Sequence, residues 1–120
     1  MDLRHLRYFQ SVAEELSFSR AARRLHVAQP ALSRAVKELE HGLGAVLFER
    51  NRRTVRLTAA GAVLLDETAR LMEQLDSLVR RVRGTAAGEE GELRLGYIGP
   101  PTHPFLGRLL AEYRRRFPRV

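Results

Sequence analysis

The residues best suited to bind another molecule are polar and basic side chains on a helix predicted from Gln29 to Leu43. Helical spacing gathers five of them, together with Pro30, on or beside one face: Gln29, Ser33, Arg34, Lys37 and His41. A glutamine amide donates and accepts hydrogen bonds, which suits an adenine edge, and an arginine guanidinium suits guanine. The opposite face is apolar. The helix is therefore predicted to pack on one side and to offer base-binding groups on the other.

A second group of cations follows on a predicted hairpin, with strands at 45–50 and 55–58 and a turn at 51–54. Four arginines lie within seven residues: Arg50, Arg52, Arg53 and Arg56. Arginines near a hairpin tip suit the negative potential of a DNA minor groove. The pattern favours a β-wing that contacts DNA over a surface hairpin with no binding role.

Two further predicted helices position the first face. Leu3–Glu15 covers the pair formed by Phe18–Leu25 and the 29–43 helix, which is a helix-turn-helix. Ser17 is placed to cap the 18–25 helix, whereas Ala28 offers the next helix no side-chain cap. The apolar stripes of the three helices are expected to bury Leu3, Leu16 and Leu43 with the rest of the core.

The next predicted helix is long, from Ala59 to Arg83, and Thr58 can cap it. A stripe with alternating spacings of three and four runs along it: Gly61, Leu64, Thr68, Leu71, Leu75, Leu78 and Val82. Packing within one subunit can cover only one end of such a stripe. We therefore expect a second copy of the helix to cover the rest, with Leu64, Leu71, Leu75, Leu78 and Val82 as dimerisation residues.

The remaining sequence predicts a linker at 84–91, a strand at 92–99, a Pro-rich loop and a helix from Phe105 to Phe117. This is the start of a βαβ unit without its second half. The expected fold is mainly α, with a winged helix-turn-helix at 1–58, a dimerisation helix at 59–84, a hinge at 85–91 and a truncated α/β start at 92–120.

Composition restricts the function. The net charge is +7, and residues 1–60 carry 11 Lys and Arg against 6 Asp and Glu, which favours nucleic acid as a partner. The absence of cysteine excludes disulfides and thiolate metal sites. No nucleophile elbow, phosphate loop or metal-spaced cluster occurs, so we expect no enzyme, cofactor or metal. Without a leader or a membrane-length apolar run, a cytoplasmic location is expected.

A set of residues in fixed order and spacing resembles the N-terminal part of LysR-type transcriptional regulators. They are Phe9, Ser17-Phe18, Ala21-Ala22, Leu25, Gln29-Pro30, Ser33, Leu39-Glu40, Leu43-Gly44, Leu47-Phe48-Glu49-Arg50 and Leu57-Thr58-Ala59-Ala60-Gly61. The resemblance implies a bacterial winged helix-turn-helix, a linker helix that pairs two subunits, and a two-lobed effector domain. It also implies a dimer or tetramer on an interrupted palindrome, controlled by a small-molecule inducer.

By position, the resemblance places Gln29, Pro30, Ser33 and Arg34 in the major groove. It places Arg50, Arg52 and Arg53 on phosphates or in the minor groove, and Thr102 near the ligand. Lys37 completes the predicted DNA-binding set. The resemblance implies that most of the effector domain would lie beyond Val120. Two alternatives stay open: a non-specific architectural DNA-binding protein, and a winged helix that binds only proteins.

Overall fold

The computed structural model describes residues 1–96 and 104–120 and is mainly helical, with one two-stranded sheet. Its elements, in chain order, are α1 Leu3–Glu15, α2 Phe18–Leu25, α3 Gln29–Leu43, β1 Phe48–Arg50, β2 Val55–Leu57, α4 Ala59–Ala86 and α5 Pro104–Arg116. A winged helix-turn-helix followed by a long helix confirms the predicted fold. Two compact units are present, Met1–Glu73 and Gln74–Val120, and α4 contributes residues to both.

The core of the first unit forms where α1, α2 and α3 meet the start of the wing. Fully buried side chains from these elements fill it: Phe9, Val12, Leu32, Val36, Leu39 and Leu47. The Phe48 ring lies 5.3 Å from that of Phe9 and 5.8 Å from that of Phe18, measured between centroids. Because β1 contributes Phe48 to this cluster, the hairpin is anchored in the same core that supports α3.

Caps fix where the helices begin. Ser17 Oγ accepts the Arg20 N–H at 3.2 Å, as predicted. Asp2 caps α1 by accepting the His5 N–H, and this hydrogen bond lowers the pKa of the Asp2 carboxyl. Thr58 Oγ1 accepts the Gly61 N–H at 3.0 Å and donates to the Val46 carbonyl at 2.6 Å. The start of α4 is thereby tied to the segment that leads into β1.

Two non-glycine residues end helices in the left-handed conformation. His26 has φ +56° at the end of α2, and Leu16 has φ +49° at the end of α1. The His26 N–H donates to the Arg23 carbonyl at 3.2 Å, and the following Val27 N–H donates to Ala22 at 3.0 Å. These bonds close the tight turn of the helix-turn-helix without the glycine that such turns often use.

Three predicted core leucines are instead exposed: Leu3, Leu16 and Leu43. Leu16 and Leu43 stand at helix ends, where the chain turns and the helical face no longer continues. Gly44, with φ +64°, ends α3 directly after Leu43. The first strand is also shorter than the predicted 45–50, because its ladder begins only where Phe48 pairs with Leu57.

In the second unit, α4 continues to Ala86, past the predicted end at Arg83. Thr85 Oγ1 donates to the Arg81 carbonyl at 2.8 Å, and the Ala87 N–H donates to the Arg83 carbonyl at 2.9 Å. These bonds offset the weak helix propensity of Gly84. The helical stretch therefore includes part of the predicted linker.

The predicted strand at 92–99 is wrong for its described part, since residues 92–96 form no ladder. A single parallel bridge joins Glu90 to Arg119, and their side chains form an ion pair at 2.6 Å. One bridge cannot hold a neighbouring segment extended. The rest of that strand and Thr102 lie outside the described residues. In the part of the chain that the structure describes, no helix has the length and apolar character of a membrane span.

Candidate nucleic-acid interface

The outer face of α3 presents the side chains that the sequence singled out. Leu32, Val36 and Leu39 are fully buried, so they fix the rotation of the helix about its axis. An open groove on the other side is lined by Pro30, Ser33, Arg34, Lys37, Glu38 and His41. Gln29 is exposed at the helix start. Pro30, Ser33, Arg34, Lys37 and His41 therefore share one surface, as predicted, and Glu38 is an acidic member that sequence reasoning did not assign.

The start of α3 has amide donors that no described residue pairs. Ala28 supplies no side-chain cap, as predicted, and Pro30 has no N–H to satisfy. Free amides of a first helical turn attract anions, because the helix dipole is positive there. Gln29 lies at the same end of the helix. The free amides could bind a phosphate there, and the Gln29 side chain could bind a base edge.

The wing presents two arginines at its tip. Asn51 Oδ1 accepts the Arg53 N–H at 2.8 Å and the Thr54 N–H at 2.7 Å. The Asn51 N–H donates to the Thr54 carbonyl at 3.0 Å, which closes the turn. Arg52 and Arg53 are both exposed on it. Asn51 is the residue that shapes this tip, through a side chain that mimics a backbone turn.

Arg50 differs from the tip arginines because its guanidinium is held within the molecule. Arg50 Nη2 donates to Glu40 Oε1 at 2.9 Å, and its Cζ lies 4.5 Å from the centroid of the Phe18 ring. Glu40 Oε2 also accepts the Leu47 N–H at 2.8 Å. Arg50 and Glu40 thus join the wing to α3 and α2. Contact between Arg50 and DNA stays a prediction.

Some basic side chains of the first unit form ion pairs, and others have no acidic partner. On α2, Arg24 donates to Glu14 at 2.7 Å, and this bond raises the pKa of the arginine. Arg20 likewise pairs with Glu15. Among the described residues, four cations of the predicted interface have no acidic partner: Arg34, Lys37, Arg52 and Arg53. Their charge is available to a polyanion.

The predicted dimerisation residues of α4 are in unlike surroundings. Leu64 packs against the core of the first unit, whereas Leu71 is exposed. Leu75 is half-buried. Leu78 and Val82 are 57% and 62% exposed. They line an open apolar groove together with Gln74, Ser77, Arg81, Thr85 and Ala86. Among the described residues, the end of the stripe with Leu64 is therefore covered, and the end with Leu78 and Val82 is bare.

Residues 3–62 match the family described as bacterial regulatory helix-turn-helix protein, lysR family. The transcriptional regulator AlsR of Bacillus subtilis is 45% identical over 120 residues, which are all of this chain and 40% of AlsR. The crystal structure of CbnR, a LysR family transcriptional regulator, is 40% identical, with a TM-score of 0.90 over 99% of this chain and 41% of CbnR. A BenM DNA-binding domain in complex with catB site 1 DNA is 41% identical, with a TM-score of 0.74 over 78% of this chain and 100% of that domain. The chain spans about 40% of the length of the curated relatives that it matches along nearly its whole length.

Proposed function

Since the chain belongs to the lysR family of bacterial regulatory helix-turn-helix proteins, we propose that it is the DNA-binding part of a sequence-specific transcriptional regulator. The observation that carries this proposal is the outer face of α3. It combines base-binding side chains with unpaired cations on a helix whose rotation is fixed by the core. The similarity to a BenM domain in complex with DNA supports the same assignment. The relatives are transcriptional regulators and give no support to an enzyme.

In the proposed complex, α3 enters the major groove with its first turn against the base edges. Gln29, Pro30, Ser33 and Arg34 contact bases, and the more distant Lys37 contacts phosphate. The wing tip lies along the backbone, where Arg52 and Arg53 meet phosphates or the minor groove. Arg50 contributes mainly by holding the wing against α3, because its guanidinium already binds Glu40.

We further propose that the bare end of α4 pairs with a second copy of itself, through Leu71, Leu75, Leu78 and Val82. A homodimer places two DNA-binding heads on one duplex, so the site is an interrupted palindrome with half-sites separated by whole helical turns. A tetramer is the proposed assembly of the full-length form. Residues 92–120, including Thr102, are proposed to begin a domain that binds a small-molecule inducer.

The specific readout is tested by Gln29→Ala. The wild-type chain first selects a preferred duplex from a random library, and affinities are then measured for that duplex and a scrambled one. The variant should lose about 1–3 kcal/mol of discrimination, because one base contact is removed. If it instead loses affinity equally on both duplexes, the specific role of Gln29 is wrong. A non-specific architectural protein would show no preferred duplex at the start.

Arg53→Ala and Arg50→Ala distinguish an arginine proposed to contact DNA from one that holds the wing against α3. Arg53→Ala should weaken binding to every duplex and reduce the slope of log affinity against log salt by about 1, with stability unchanged. Arg50→Ala should lower the melting temperature, because it leaves Glu40 without its partner. A winged helix that binds only proteins would show no salt-dependent DNA binding in either variant or in the wild type.

A further inference from the structure

One acidic side chain shares the groove on α3 with the basic residues. Glu38 lines this groove beside Arg34 and Lys37, and its side chain is 58% exposed. In a DNA complex this surface faces phosphates, so a carboxylate here lowers the affinity for any duplex through like-charge repulsion. General affinity for DNA therefore does not explain a carboxylate at this position.

A buried histidine, His5, forms a hydrogen bond with the Glu38 carboxylate. His5, in the first turn of α1, is 8% exposed. The Asp2 backbone N–H donates to His5 Nδ1 at 3.2 Å, so Nδ1 is the acceptor and the ring proton is on Nε2. Nε2 then donates to Glu38 Oε2 at 3.2 Å. Within the described residues, Glu38 Oε1 accepts no hydrogen bond, and more than half of the Glu38 side chain is exposed.

We propose that Glu38 is a specificity-determining residue of this DNA-binding surface and that His5 is its positioning residue, an inference that rests on the proposed function. A carboxylate oxygen accepts hydrogen bonds and donates none. It can bind the N4 amino group of cytosine, whereas guanine O6, thymine O4 and phosphate oxygens repel it. With its position fixed by His5, Glu38 favours duplexes that present an amino group there and penalises the others.

A simpler explanation is that Glu38 only satisfies the buried His5 ring. Glu38→Gln separates the two explanations, because the amide oxygen can still accept from Nε2 while the charge is lost. The matched control is Glu67→Gln, which removes the same charge from an exposed ion pair with Arg70 on α4. If Glu38 only supports His5, both variants should keep the wild-type choice of DNA.

The experiment measures dissociation constants by fluorescence anisotropy at one salt concentration. The two duplexes are the one that the wild type selects from a random library and a scrambled version of equal composition. Glu38→Gln is expected to lower the ratio of the two affinities by about fivefold or more, mainly through tighter binding of the scrambled duplex. Glu67→Gln is expected to leave that ratio unchanged. An unchanged ratio in Glu38→Gln, or an equal fall in Glu67→Gln, would overturn the inference.

The positioning role of His5 is tested in the same assay with His5→Gln and His5→Ala, each checked for folding by circular dichroism. His5→Gln keeps a donor toward Glu38 and should retain the wild-type ratio. His5→Ala frees the carboxylate and should lower the ratio, with no further fall when it is combined with Glu38→Gln. Additive falls, or an equally low ratio for His5→Gln, would overturn the positioning role. A wild-type chain that selects no duplex would overturn the proposed function itself.

Discussion

The two ends of α4 carry the same apolar repeat but lie in opposite surroundings. Near its start, Leu64 and Leu65 pack against the core of the first unit, and Thr68 is only 2% exposed. Toward its end, Leu78 and Val82 continue the repeat with more than half of their surface exposed. A helical repeat thus shows where a helix can be covered, whereas the covering surface depends on the neighbouring elements.

The covered end depends on a close approach between backbones. Gly61 lies against the Leu47 carbonyl, just after the Thr58 side chain has fixed the start of the helix. Such contact anchors α4 to the DNA-binding head. The bare end is free to bind another apolar surface, and a second copy of the same helix supplies one of matching pattern. One end of α4 is therefore anchored to the head, and the other is the end for which we propose association with a second copy.

The largest expected effect comes from Leu78→Glu, which tests association at the bare end. Each buried leucine contributes about 1.5–3 kcal/mol, and a symmetric dimer contains two copies. The substitution should weaken self-association by about 3 kcal/mol or more, which raises the dimer dissociation constant about a hundredfold. Sedimentation equilibrium measures this change.

The control for Leu78→Glu is Val63→Glu, an exposed position on the same helix that lies off the stripe. It introduces the same charge and should leave association intact. Equal association of the Leu78 variant and the wild type would show that the bare end is not the contact between copies.

Gly61→Ala tests the covered end. An added Cβ would meet the Leu47 carbonyl oxygen, which is backbone and cannot easily move, and would lie 2.8 Å from Leu57 Cδ2. Overpacking of this kind should destabilise the first unit by about 2–3 kcal/mol. Chemical denaturation followed by circular dichroism measures the loss.

The control for that substitution is Gly42→Ala in α3, because a Cβ added there would meet no described atom within 4 Å apart from the neighbouring backbone of its own helix. Relief of the poor helix propensity of glycine should stabilise the protein there by about 0.5–1 kcal/mol. A Gly61 variant as stable as the wild type would mean that α4 does not approach the Leu47 segment closely.

Much of the fold and of the α3 surface could be predicted from the sequence, because spacing determines which residues share a helix face. The helices, the wing, and the placing of Pro30, Ser33 and Arg34 on one face all follow from local patterns. Local patterns do not predict which end of the α4 stripe is buried, since that depends on where the hairpin packs against the helix. The local pattern also assigned Arg50 to DNA along with the other wing arginines, although its contacts with Glu40 and Phe18 join elements distant in sequence.

The His5–Glu38 contact is of the same kind. The two residues are 33 positions apart, and neither belongs to a motif that would pair them. The left-handed conformation of His26 is also missed by propensity, which favours glycine there. Long-range polar contacts and special backbone conformations therefore need the folded chain to be seen.

Thr68→Val is expected to have a smaller effect, at a stripe position whose side chain is only 2% exposed. In the described part of the chain its Oγ1 is buried without a hydrogen-bond partner. Valine keeps the shape and removes the unsatisfied hydroxyl, so it should stabilise the first unit by about 1 kcal/mol. Thr85→Val at the bare end should change little, because that hydroxyl is exposed and water can replace its hydrogen bond to the Arg81 carbonyl. If Thr68→Val destabilises the protein instead, the hydroxyl has a partner in solution, and the covered end of α4 is held by a polar contact as well as by packing.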